Sequence, residues 1–416
     1  MIINYGNDGN VCDKDKLIRD GFNVNEERDF RKKYIRNINT AEKSQDYEFV
    51  FDFVGFITNN NEDIITIFPK NYRVENINLD STQLFKLISK HRQRRPEIYL
   101  GSNYGKFFNT NYPFAAFFGV YNYFEKYGIY IEDKVFIKPS IGGKINWKET
   151  VRLSNKYISN GELIFSPIYY EKKYYFSNFL TECIIFVIDY TIDKFGIFVD
   201  LNKTGKNFPE FDFLSTKEIT IERLLTIRQQ IFKDSLIDLI DHLINFFGEL
   251  KEGGSYYFKH YYFEYIWEDM VLNYLNNNYK EVKDGKIIFD SKIVNKTVFS
   301  KKRFYPNEVN TDNFIEPDYY NEDEDIQLIF DAKYYTKVYG MDYKQIAYYF
   351  LLNGLRENIT DSPKFKETYS ALILPGEERR SKVHFKMNPL FNKDNKNFII
   401  SEEYLDIREV INNYLK

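Results

Sequence analysis

The chain has 416 residues, 43% of them hydrophobic and 28% charged, which predicts two domains, or three, with ample apolar material for a large core. A net charge of −4 excludes a generally basic nucleic-acid binder, so contact with DNA has to come from local patches or from a partner. Cys12 and Cys183 lie far apart and there are four histidines, which matches neither a disulfide framework nor a zinc site.

In chain order, residues 46–72 read as two strands around a turn at Asn59–Asn61, and 81–91 as a short helix. Residues 107–127 are aromatic-rich with helical spacing, Pro113 standing near the start. Two further strands, 135–145 and 163–175, flank a segment holding Trp147. Residues 178–193 are long and apolar, which predicts a buried helix containing Cys183. Residues 217–250 keep helical periodicity throughout and predict a bundle or stalk. Gly253 and Gly254 then read as a hinge. This divides the chain into an amino-terminal mixed α/β region, 1–250, and a carboxy-terminal domain, 255–416. The fold class expected is α/β (α+β), with a mixed sheet flanked by helices in the second domain.

The second domain carries the chemistry. Residues 258–275 predict a helix with Glu264 and Glu268 one turn apart on one face, and Asn276–Asn278 a loop. Residues 314–320 predict a short strand containing Pro317 and Asp318, and 321–325 (NEDED) a turn. Residues 326–335 (IQLIFDAKYY) are apolar, β-branched and aromatic, hence a strand. Residues 341–352 read as a helix with Gln345 and Tyr349 one turn apart. Residues 370–374 form a buried strand before Pro375, and 392–397 a loop.

Alternation along the strand puts Asp331 and Lys333 on one face and Ala332 on the other. Asp318, on the neighbouring strand, supplies a second carboxylate. Mg²⁺ takes one or two carboxylates and keeps several waters, so Asp318 and Asp331 meet its demand, with the carbonyl of Ala332 as a further oxygen. Lys333 can orient or deprotonate a water and offset charge on a phosphate. Glu264 or Glu268 supplies the acid from a packed helix. Two carboxylates held this close repel, so at least one is expected to hold its proton above the usual range without metal. An Asp-x-Lys triplet alone is weak, because charges alternate on the wet face of many hairpins; the ordered set of motifs is what gives it weight.

That ordered set is a helix with Glu, Pro-Asp, a hydrophobic strand ending in Asp-x-Lys, and a helix with Gln-x-x-x-Tyr. It resembles the PD-(D/E)xK nuclease superfamily, and QIAYY resembles the Gln-x-x-x-Tyr motif of its RecB-like branch. More narrowly, the chain resembles McrC and LlaJI-type restriction endonuclease subunits. Residues 53–72 (FVGFITNNNEDIITIFPKNY) look like that family's amino-terminal hairpin. Residues 142–151 look like its Gly-x-Ile-x-Trp segment, and 261–270 like its Phe-Glu and Trp-Glu helix. The resemblance implies a DNA endonuclease dependent on Mg²⁺ or Mn²⁺, with Asp318, Asp331, Ala332 and Glu264 around the metal. Lys333, Glu268, Gln345 and Tyr349 complete the implied site. It also implies a partner, an McrB-like AAA+ NTPase ring using GTP or ATP.

No G-x-x-x-x-G-K-[ST] loop occurs in the sequence, so NTP hydrolysis is expected of the partner. Residues 31–36 (RKKYIR) and 91–95 (HRQRR) are the basic patches, each more simply read as solvated surface charge. The first residues lack a signal peptide's apolar core and no run reaches membrane-span length, so a prokaryotic cytoplasmic location is expected. Two other readings compete. One is a stand-alone, dimeric, sequence-specific type II restriction endonuclease. The other is a non-catalytic adaptor on a nuclease-like fold, which carboxylates pointing apart would favour.

Overall fold

A computed structural model describes the chain except residues 1, 35–45, 100–104, 140–141, 177–178, 252–253, 291–296, 311, 323–325, 360–366 and 392–397. Gly253 of the expected hinge, and the 392–397 loop, therefore lie outside the described residues. The fold is α+β, and no helix among the described residues is long and apolar enough to cross a membrane.

The chain begins with β1 (Ile3–Asn7), α1 (Lys14–Arg19), β2 (Phe30–Tyr34), β3 (Tyr47–Phe51), β4 (Val54–Thr58) and β5 (Ile64–Phe68). The expected hairpin is β4 and β5, which pair antiparallel, while β3 turns away to pair with β2. Next come α2 (Ile77–Arg94), longer at both ends than the apolar spacing marked, and α3 (Pro96–Tyr99). Residues 107–127 divide into a strand, β6 (Phe108–Thr110), and a helix, α4 (Phe114–Tyr127), because Pro113 fixes the backbone at the junction.

There follow β7 (Glu132–Pro139), β8 (Lys144–Ile145), α5 (Trp147–Leu153), β9 (Asn155–Ser159), β10 (Glu162–Ser166), β11 (Tyr169–Phe176) and α6 (Phe179–Val199). Trp147 thus opens a helix, capped by the Asn146 side chain. The 217–250 stretch is not one stalk. It is two packed helices, α7 (Lys217–Arg228) and α8 (Asp234–Glu249). Leu236, Leu239, Ile240, Leu243 and Phe247 recur every three or four residues and bury the inner stripe of α8.

Residues 258–275, expected as one helix, begin as a strand, β12 (Tyr257–His260), and only then become α9 (Glu264–Asn278). Asn276–Asn278, expected as a loop, end that helix; the Asn278 side chain donates to the Tyr274 carbonyl one turn back. The remaining elements are β13 (Tyr279–Lys283), β14 (Lys286–Phe289), β15 (Tyr319–Glu322), β16 (Ile326–Ala332), α10 (Tyr343–Ile359), β17 (Glu367–Gly376), β18 (Arg380–Lys386), β19 (Ile399–Asp406) and α11 (Ile407–Leu415).

The chain forms two compact units, and they do not follow the 1–250 and 255–416 division. One is residues 1–111, 197–199 and 253–416; the other is 112–196 and 200–252. The reason is β12. It pairs antiparallel with both β4 and β6, completing a five-stranded sheet ordered β1-β5-β4-β12-β6. Gly55 makes this possible: a Cβ there would lie 1.9 Å from the Phe258 carbonyl oxygen. The same unit holds a second five-stranded sheet, β15-β16-β17-β19-β18, parallel at its centre and antiparallel at both edges. Helices α9, α10 and α11 pack on it. The second unit contains α4, α7, α8 and the small antiparallel sheet β7-β11-β8.

Candidate active site

Strand β16 sits inside the second sheet, so five consecutive residues, Gln327 to Asp331, are buried. It pairs antiparallel with β15, Tyr319 opposite Phe330 and Tyr320 opposite Ile329. One further step in that register sets Asp318 opposite Asp331, on the same face. The strand expected from residue 314 is regular only from Tyr319, so Asp318 stands at its mouth. There its carboxylate accepts a hydrogen bond from the Ala332 N–H at 2.8 Å.

Lys333 continues the alternation past the end of β16, its N–H donating to the Ile373 carbonyl at 2.8 Å. Its ammonium pairs with Asp331 Oδ2 and lies 3.5 Å from Asp342 Oδ2. A second ammonium, Lys344 from the first turn of α10, reaches Asp331 Oδ1 at 3.0 Å.

These charges set the protonation of the pair. Burial, then the Asp331 charge, push the Asp318 carboxyl up to about 7. Burial also raises Asp331, but Lys333 and Lys344 outweigh it and hold that carboxyl below its usual value. The pair therefore retains a proton on Asp318 while Asp331 is ionised, which is how like charges tolerate close approach.

Asp318, Asp331, Ala332, Lys333 and Lys344 line a cleft of about 480 Å³, and Glu264 and Glu268 line it from α9. The Trp267 indole N–H, donating to the Ile373 carbonyl at 3.3 Å, docks that helix against β17. Glu268 is paired with Lys301 at 2.8 Å, while burial raises the Glu264 carboxyl. Gln345 and Tyr349 do not line the cleft. Tyr349 stacks on Phe398 at 3.9 Å in an apolar cluster with Leu372, Leu374 and Ile400. Gln345 is 0% exposed, and its side-chain amide has no hydrogen-bond partner among the described residues.

The donor set can be weighed against a metal ion. Among the described residues, no three His, Cys, Asp or Glu side chains converge in metal-holding geometry. Two carboxylates do converge, beside open volume and with two more acids on the cleft wall. That suits a hard cation keeping most of its waters, and does not suit a closed zinc site.

No family model and no curated protein sequence matches the chain. Among solved structures it is similar to a chain of a refined half-complex from a tetradecameric assembly of Thermococcus gammatolerans McrB AAA+ hexamers with bound McrC. The TM-score is 0.34 at 11% identity, covering 100% of this chain and 98% of that one.

Several residues of the cleft escaped the sequence. Lys344 precedes Gln345 directly, so its place on a helix start facing a strand end was the one signal available. Asp8, Arg28, Arg31, Asp52, Phe53 and Lys70 come from the amino-terminal region, so residues 255–416 alone do not make the cleft. Lys70 pairs with Asp8 at 2.9 Å, and its N–H donates to the Tyr334 hydroxyl at 3.0 Å. Of the two basic patches, 91–95 is spent on packing. His91 is fully buried, Arg92 and Arg94 lie over the Phe108 and Tyr414 rings, and Arg95 forks onto Asp269 at 2.8 and 2.7 Å. Arg31 of the other patch does face the cleft; residues 35 and 36 lie outside the described ones.

Proposed function

We propose that this chain is a divalent-metal-dependent DNA endonuclease, the cleaving subunit of a restriction system directed at phage DNA. One observation carries the reading. Asp318 and Asp331 meet in register on adjacent strands, with the Lys333 ammonium on the same face, at the wall of an open cleft.

Asp318 and Asp331 would hold Mg²⁺ or Mn²⁺, with the Ala332 carbonyl and Glu264 as further oxygen donors. The bound ion supplies Lewis-acid polarisation of the phosphodiester and a more acidic water. Asp318 and Asp331 would hold a divalent cation in place of the proton that Asp318 otherwise retains, so their closeness is a fit and not only a strain. Lys333 orients the attacking water and offsets charge on the phosphate. Glu268 holds Lys301 at the cleft edge. Gln345 and Tyr349 act from behind, bracing α10 against the sheet.

The partner belongs to the same proposal. The chain has net charge −4, so its own grip on the phosphate backbone is weak and weakens further with salt. It has one set of catalytic motifs and no phosphate-binding glycine-rich loop. An McrB-like AAA+ ring using GTP or ATP would deliver double-stranded DNA and bring two copies of the site together.

The test is cleavage of plasmid DNA with Mg²⁺ at physiological salt, with and without an NTPase encoded beside this chain and its nucleotide. Little cutting by the chain alone and strong double-strand cleavage with the partner is the expected result. Efficient site-specific cutting by the chain alone would replace the partner-dependent subunit with the stand-alone dimer. DNA binding without cleavage under every condition would leave the adaptor.

A further inference from the structure

We propose that Lys344 is a second substrate-binding cation of this site, holding Asp331 in the DNA-free cleft and passing its ammonium to a nonbridging oxygen of the bound phosphodiester. The inference rests on the nuclease reading above and adds a residue that no part of that motif set assigns.

Position comes first. Asp331 is fully buried and Lys333 keeps 17% of its side chain exposed, whereas Lys344 keeps 47%. Lys333 therefore sits inside the cleft and Lys344 at its rim. Lys344 also belongs to the first turn of α10, whose start is fixed by the Gln345 N–H donating to the Asp342 carboxylate at 3.0 Å. Its ammonium lies 5.3 Å from the Tyr348 ring, a soft support that leaves it able to turn. The lysine end of this pair is half-exposed and its stem is free to swing, so the ammonium can move from Asp331 to a phosphate oxygen entering the cleft.

Charge balance comes second. Once a divalent ion displaces the proton that Asp318 retains, two ionised carboxylates balance the two ammoniums. The ion's own two positive charges are then in excess. A phosphodiester and an attacking hydroxide together bring two negative charges, which the ion, the two aspartates and the two lysines balance; Glu264 on the same wall adds a negative charge when ionised and so increases the need for the second ammonium. With Lys333 alone the same assembly would carry a net negative charge, in a cleft where that is costly.

A residue that merely braced Asp331 would behave differently, and the sign of the effect separates the two. Mn²⁺ binding is followed by calorimetry, and binding of a labelled DNA duplex by anisotropy without divalent ions, for wild type, Lys344→Gln and Lys344→Arg. Lys344→Gln should bind Mn²⁺ several-fold more tightly, because Asp331 loses a competing ammonium. It should bind the duplex several-fold more weakly, its log–log salt dependence falling by about one. Lys344→Arg should keep the wild-type duplex affinity. Unchanged duplex binding in Lys344→Gln, or weaker Mn²⁺ binding in that variant at an unchanged melting temperature, overturns the assignment. If wild type takes up no Mn²⁺, or Asp331→Ala takes it up equally well, the nuclease reading itself fails.

Discussion

The two five-stranded sheets of the larger unit each bury a carboxylate beside a lysine, and they do so to opposite ends. Near the first sheet Asp29 is saturated. It takes the Lys259 ammonium at 2.5 Å, the Tyr261 hydroxyl at 2.7 Å and the Asn25 N–H at 2.7 Å, and Lys259 also donates to the Asn23 carbonyl at 2.8 Å. Lysine and aspartate are 2% and 0% exposed, so nothing else can reach them. In the second sheet Asp331 is as deeply buried, but its neighbour is another carboxylate, and the pair opens on a cleft. A buried charge whose partners are all internal is structure. One left facing a like charge at an open wall is poised for something the protein does not itself contain.

The sharpest way to break this contrast is Asp331→Ala. Cleavage should fall by at least about a thousandfold, as expected when a charge-stabilising group is removed, while the protein stays soluble and cooperatively folded. An insoluble Asp331→Ala protein would make Asp331 as structural as Asp29. Lys259→Met is the converse. It strands Asp29 without its cation and should cost roughly 3–5 kcal/mol, read by urea denaturation. The double variant with Asp29→Asn should recover part of that loss. A Lys259→Met protein of wild-type stability would show that the pair is idle.

A smaller effect sharpens the comparison through pH. Asp318 titrates near 7 in the folded, metal-free protein and near the ordinary carboxylate value when unfolded. The folded state therefore binds more protons between about pH 4 and 7. Its stability from this group is full below that window and lost as pH rises through it. Asp318→Asn should melt higher than wild type at pH 8, on the order of 1 kcal/mol after solvent screening, with the difference shrinking through pH 5 and gone below about pH 4. An equal gain at both ends of this range would separate the effect from the carboxylate pair. Adding Mn²⁺ should erase the wild-type deficit at pH 8. The smallest effect expected is that of Tyr349→Phe, which keeps the ring stacked on Phe398 and should change stability by less than about 1 kcal/mol. Lost cleavage at unchanged stability would instead give the Tyr349 hydroxyl a part in the chemistry.

Much of the site could be read locally. Asp331 and Lys333 share a face because strand alternation has a period of two, and Asp318 meets Asp331 because β15 and β16, neighbours in sequence, pair antiparallel in one register. Glu264 and Glu268 fall one turn apart at the start of α9, as their spacing requires. Gln345 and Tyr349 are likewise one turn apart. Spacing says nothing about which side of a helix meets a cleft, and it is Lys344, one residue earlier, that reaches Asp331.

What the sequence determined by itself was the elements whose pattern is held within a dozen residues: the β4–β5 hairpin, β16, the apolar stripe of α8, and the alternation that pairs Asp331 with Lys333. Tertiary structure decided the rest. FKH at 258–260 continues an apolar, aromatic run that looks helical, and becomes strand because β4 and β6 offer backbone partners on both sides. Those partners lie about 200 and 150 residues away, as Lys259 lies 230 residues from Asp29. Hydrogen bonds and ion pairs formed across such separations depend on where the chain returns in space, and no local periodicity encodes that return.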